Sequence, residues 1–191
     1  MTRKESASMP EPLLATPATD AGGHLPGPLG LRLDEAFLPL TALNGAAGAL
    51  DAILPFGTWR ETNGVLFLRY APGTVLASGP WPGGPFIAVE IGHGLTRFRL
   101  RGVEALHFLG HYTRADLHAA PVRRDRAIRT RLNHHDCALW WSTTRDVNIL
   151  VERPLAQSFV DHLRQLCLRH DPADPSQTPR PVAPNAADRR G

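Results

Sequence analysis

Only two cysteines, Cys137 and Cys167, occur in 191 residues, which is too few for a disulfide framework. Both fall in segments that read as buried, so reduced core thiols are expected. Lysine is almost missing: Lys4 is the single lysine among 21 basic residues, and the net charge is +3. That mild excess eases association with acidic partners without naming one. No apolar run approaches the roughly 18 residues of a membrane span. After Arg3 and Lys4 come Glu5, Ser6 and a proline-rich polar stretch, where a secretory signal would have an apolar core. Both absences point to a cytoplasmic chain with no membrane contact.

The hydrophobic fraction of 42% is ordinary for a folded domain, and the length suits one domain. Prolines 10, 12, 17, 26 and 28 punctuate residues 1–30, and prolines 172, 175, 179, 181 and 184 punctuate residues 171–191. Neither stretch carries a hydrophobic period, so both read as tails flanking a domain of residues 31–170. Within it, Leu43, Ala46, Ala47, Leu50, Ile53 and Leu54 recur at helical spacing, closed by Pro55. Residues 65–70 and 74–77 read as strands around Pro72-Gly73, and residues 79–85 as a loop. Residues 86–91 resume as a strand.

Thr96, Phe98 and Leu100 alternate with Arg97, Arg99 and Arg101, predicting a strand with one buried and one wet face. Val103, Leu106 and Leu109 line a short helix. Residues 128–132, 137–141 and 147–151 follow as three strands, the last apolar enough to be central. Pro154 suits the first turn of a closing helix whose buried stripe is Leu155, Phe159, Leu163 and Leu166. The predicted fold class is α+β, an antiparallel-rich sheet with helices on one face. Residues 42–78 read as a diverged half-copy of the same unit.

The sequence offers little catalytic machinery. His134-His135-Asp136-Cys137 is the most metal-like cluster. Consecutive strand residues point to opposite faces, however, and no second Cys/His pair completes a tetrahedral set, so the segment reads as a strand-entry turn and no metal site is assigned. Asp116-Leu117-His118 lacks a nucleophile in an elbow and reads as a turn. Prolines interrupt the glycines of residues 79–84, which removes the N–H donors of a phosphate cradle. No catalytic or cofactor-binding residue is assigned. Arg123, Arg124, Arg126, Arg129 and Arg131 lie close together, with Arg97, Arg99 and Arg101 on a candidate neighbouring strand. Counterion release from nucleic acid is one use of such a surface. Asp125, Asp136, Glu90 and Glu104 dilute the positive charge, which favours a protein interface. The candidate partner interface is Arg97, Arg99, Arg101, Arg123, Arg124, Arg126 and Trp81. Trp140 and Trp141 are further anchor candidates, although each alone reads as core.

A resemblance gives these patterns a context. Phe98-Arg99-Leu100-Arg101-Gly102 leads into residues 103–110, then Asp116-Leu117-His118, a loop with Pro121 and a strand ending at Thr130. Leu139-Trp140, Asn148-Ile149-Leu150-Val151-Glu152-Arg153 and a helix from Ala156 complete the order. This succession resembles the gamma subunit family of heterotetrameric sarcosine oxidases, over roughly residues 40–168. The resemblance implies a fold similar to the folate-binding domain of the glycine cleavage T-protein. It also implies a non-catalytic accessory subunit of a complex that oxidatively demethylates sarcosine or a related N-methyl amino acid. Flavins, NAD, folate and zinc would then reside on the larger alpha and beta subunits and the small delta subunit, and none on this chain. The alternative is a free-standing folate- or RNA-binding protein of the same fold.

Overall fold

Alternating and continuous apolar runs assemble here into strands, and helical spacing into three helices. The computed structural model describes Thr19 and residues 22–79, 83–117 and 125–170. In chain order the elements are β1 (Gly22–His24), β2 (Arg32–Ala36), β3 (Leu40–Asn44), α1 (Ala47–Ile53), β4 (Thr58–Thr62), β5 (Val65–Ala71), β6 (Thr74–Ser78) and β7 (Ile87–Glu90). There follow β8 (Leu95–Arg101), α2 (Ala105–Gly110), β9 (Ala127–Leu132), β10 (His135–Thr143), β11 (Asp146–Glu152) and α3 (Ala156–Arg169). Pro154 lies in a 3-10 turn, Arg153–Leu155, that feeds α3.

Two antiparallel sheets result, with strand orders β1-β2-β8-β11-β10-β9 and β4-β5-β6-β3-β7. The chain is thus α+β, as its patterning predicts. β8 and β11 are the central pair of the first sheet, which accounts for the apolar run in β11. Their register sets Phe98 opposite Ile149 and Leu100 opposite Val147. Local chemistry closes the hairpins. Asn63 and Gly64 carry φ of 53° and 75° between the paired residues Thr62 and Val65. Two positive φ values in a two-residue loop match the right-handed twist of the flanking strands.

Layering follows from which side of each strand is apolar. Phe98, Leu100, Leu139, Trp141, Ile149 and Val151 face α2 and α3, packing on Leu106, Phe108, Phe159, Val160 and Leu163. The opposite face of the same sheet supplies Ala127, Ala138, Trp140 and Leu150. These meet Leu40, Ala42, Leu66, Leu68 and Leu76 of the second sheet. The far side of that second sheet, with Leu43, Val75 and Ala77, is covered by Leu50 and Ile53 of α1. Helices, sheet, sheet and helix therefore stack in four layers.

Two readings change. Helical spacing over residues 43–54 predicts one helix, yet its first part is strand β3, held between β6 and β7. A strand buried on both faces loses its period-two signature, and Ala42 and Leu43, adjacent and both buried, are the cause. Residues 40–78 form most of a sheet of their own. In agreement with the half-copy reading, they repeat the strand, helix, three-strand order of the main unit, with β4-β5-β6-β3 arranged as β9-β10-β11-β8 are in the first sheet. Packing also begins inside the stretch read as an N-terminal tail. β1 pairs with β2, Leu25 joins the core, and a Cβ on Gly27 would stand 2.3 Å from the Cys167 carbonyl oxygen. This closeness, with φ of +101°, makes Gly27 the point where the N-terminal segment lies against α3.

Candidate functional site

Strand alternation on β8 puts Arg97, Arg99 and Arg101 on one face, as the pattern predicts, but their charges are largely met within the chain. Arg99 Nε donates to Asp146 Oδ1 at 2.7 Å and its Nη2 to the other carboxylate oxygen, a bidentate pair. Arg101 Nη2 donates to Asp34, whose two oxygens also accept from Arg32 Nε at 3.1 Å each. Arg97 donates from Nε and Nη2 to Asn148 Oδ1, at 3.0 and 2.6 Å, with its guanidinium 5.7 Å from the centre of the Trp140 ring.

The electrostatics follow this geometry. The hydrogen bond from Arg99 holds Asp146 below the usual carboxylate range against the opposing effect of burial. Burial also works to raise Asp34, but the hydrogen bonds from Arg101 and Arg32 outweigh it and leave that carboxyl lowered. Burial lowers Arg97, and the neighbouring Arg99 charge adds to it. The face is a ladder of guanidinium forks already engaged, Arg99 and Arg101 by carboxylates and Arg97 by the Asn148 amide oxygen. It is poorly suited to displacing counterions from phosphates, while the half-exposed edges of Arg99 and Arg101 still offer donors to a protein surface.

Of the other members of the candidate interface, Arg126 lies among the described residues. Arg126 forms an antiparallel bridge with Thr58 where β9 meets the second sheet, and is half-buried. Arg123, Arg124 and Trp81 lie outside the described residues. Trp140 and Trp141 are buried in the two cores, so their size serves packing and neither is a surface anchor. Asp116 is exposed and Leu117 buried, while His118 lies outside the described residues. Burial pushes the thiols of Cys137 and Cys167 up to about 12, which leaves both as inert core groups.

Two features escaped the sequence reading. β7 is an edge strand whose four residues are all exposed, with Ile87 73% and Val89 46% accessible. Among the described residues no strand pairs with its outer side, and such an edge bearing apolar side chains is a ready surface for another chain. Its exposure depends on which strand ends the sheet, and no local pattern carries that. The second feature is a histidine trio. The segment is the strand-entry turn that its sequence suggests, with His134 in the turn before β10 and His135 the first residue of the strand, so strand alternation does not hold the two apart. Both rings gather with His162 of α3. Burial, then the neighbouring His134 and His162, lower His135 from its ordinary value. His162 is lowered by burial, His134 and Arg169. His135 and Cys137 are both buried, on either side of exposed Asp136.

No family model matches the chain, and no curated protein matches it. Among solved structures it is similar to a chain of a heterotetrameric sarcosine oxidase from Corynebacterium sp. U-96 in complex with pyrrole 2-carboxylate. The TM-score is 0.62 and the identity 21%, over 75% of this chain and 87% of that one. The likeness shows the fold. No helix among the described residues is long and apolar enough to cross a membrane.

Proposed function

We propose that this chain is a gamma-type accessory subunit of a heterotetrameric sarcosine-oxidase-like flavoenzyme complex, without a catalytic centre of its own. The observation that carries this reading is the fold likeness, which extends over 87% of a chain from such an assembly. The order of gamma-type segments from Phe98 to the α3 helix supports the same reading. Larger alpha and beta flavoprotein subunits and a small delta subunit are the partners, in the cytoplasm. Oxidation of the N-methyl group of sarcosine or a related amino acid takes place on those partners, with their flavins, nicotinamide nucleotide, folate and zinc.

The exposed β7 edge and the paired arginine ladder give the chain one apolar and one polar surface to offer. Internal pairing of the arginines weighs against RNA as the partner. Co-expression with the large subunits tests the reading. The assembled enzyme is expected to reduce dye with sarcosine or another N-methyl amino acid, and the isolated chain to be colourless and inactive. An isolated chain that retains stoichiometric flavin or turns over sarcosine would sink the proposal.

A further inference from the structure

The turn joining β9 to β10 and the middle of α3 bring three imidazoles to one place. One ring nitrogen from each of His134, His135 and His162 lies within 4.8 Å of the other two. The ring centroids are 4.3 Å apart for His134 and His135, 4.5 Å for His134 and His162, and 5.3 Å for His135 and His162. Protonated rings at such spacing repel one another, so the cluster favours neutral imidazoles, the form that ligates metals.

His135 supplies the independent clue. It is 4% exposed, and its Nδ1 is buried without a hydrogen-bond partner. A buried polar atom left unmet is costly, and native structures usually give it a partner. The opposite nitrogen, Nε2, stands 2.9 Å from Ser158 Oγ. With Nε2–H donating to that hydroxyl, the tautomer is fixed and Nδ1 presents a lone pair. Histidines that bind metals are commonly oriented in this way by a partner on the far nitrogen. His162 has a comparable neighbour, with the Asn133 amide nitrogen 3.0 Å from its Nε2. A half-turn of that amide would place its oxygen where it accepts Nε2–H. His134 is exposed and His162 half-buried, so both rings have room to adjust.

We propose that His134, His135 and His162 form a binding site for a zinc-type divalent transition-metal ion whose fourth position is open to water. An all-imidazole donor set suits Zn²⁺ and its first-row neighbours and disfavours Mg²⁺ or Ca²⁺. Tetrahedral coordination at about 2.0–2.1 Å needs ligand nitrogens about 3.3 Å apart. From separations of at most 4.8 Å the rings close by roughly 1.5 Å, a movement that side-chain rotation supplies. The ion would pin α3 to the β9–β10 hairpin and, by binding only the folded chain, raise its thermal midpoint.

The test uses the untagged full-length chain, stripped with a chelator and titrated with Zn²⁺ by calorimetry. Co²⁺ serves in parallel as a visible-absorption probe of coordination. One ion per chain is expected, with the visible bands of a four-coordinate site. His162→Gln and His134→Gln should each weaken Zn²⁺ binding at least about tenfold, and Ser158→Ala by about 10–100-fold through the lost orientation of His135. His111→Gln, on a different histidine cluster beside α2, should leave the affinity unchanged. His135 is buried and its replacement risks the fold, so the decisive variants are the two more exposed histidines. No saturable one-to-one binding, or an affinity indifferent to His162→Gln, would overturn the proposal.

Discussion

Trp140→Ala removes a side chain that is 1% exposed and lies where the two sheets meet. Truncating a buried tryptophan to alanine costs about 3–5 kcal/mol through lost burial and the cavity left behind. The contact with Arg97 at 5.7 Å adds about 0.5–2 kcal/mol, because both groups are partly withdrawn from water. A loss of about 3.5–7 kcal/mol is a large part of the 5–15 kcal/mol that a domain typically has. At about 2–4 °C per kcal/mol for a chain of this size, the thermal midpoint should fall by roughly 7–28 °C. Denaturant titration reads the energy directly, with Ile87→Ser as a surface control expected within about 0.5 kcal/mol.

The layering adds a spatial expectation for the same variant. Trp140 faces the second sheet, whereas Leu139 and Trp141 face the helices. Hydrogen exchange should therefore quicken first in β5 and β6, with β11 and α3 still protected. An Arg97→Met change in the Trp140→Ala background should cost less than in the native chain, by the coupling of the pair. A loss below about 1.5 kcal/mol, or deprotection of α3 before β5, would refute the idea that Trp140 joins the sheets.

Three further outcomes follow from the same contacts. Gly27→Ala should destabilise by at least about 2 kcal/mol in denaturant titration, since φ is +101° and the new Cβ would meet the Cys167 carbonyl at 2.3 Å. Arg69 is 2% exposed and donates to Leu54 O at 2.8 Å, Pro72 O at 3.0 Å and Asp51. Arg69→Ala should cost about 2–4 kcal/mol by calorimetry, and Asp51→Asn less, because the guanidinium keeps the Leu54 and Pro72 carbonyls and the new amide oxygen can still accept from it. Asp146 and Asp34 have folded-state values below those of the unfolded chain. Their contribution is complete above about pH 4 and is lost as pH falls through the lowered folded values. Asp146→Asn should therefore flatten the acid side of a stability-against-pH profile.

Legibility in the sequence tracked how local the cause was. The arginine alternation on β8, Gly102 after it, the apolar run of β11 and the Pro154 entry to α3 are signals within a few residues, and all four match the structure. Leu43, in strand β3, was read into the helix because burial on both faces erases alternation, and neighbouring Leu50 and Ile53 then extend a helical period backwards. β1 was missed because a three-residue strand with two glycines has no pattern of its own, and its partner β2 defines it. The arginine face was legible, but its pairing was not, since Asp34 and Asp146 reach it from other strands. The histidine trio failed for a similar reason. A two-residue turn moved His134 off the strand, and His162 joins from 27 or 28 positions further along the chain.

Membership in a flavoenzyme assembly is the central claim, and affinity capture of the tagged chain from its native cells tests it most directly. The eluate should contain two larger subunits and a small one, show a flavin spectrum, and reduce dye when given sarcosine or another N-methyl amino acid. A colourless, solitary chain after gentle capture would contradict the account and turn attention to binding of folate or RNA by the chain alone.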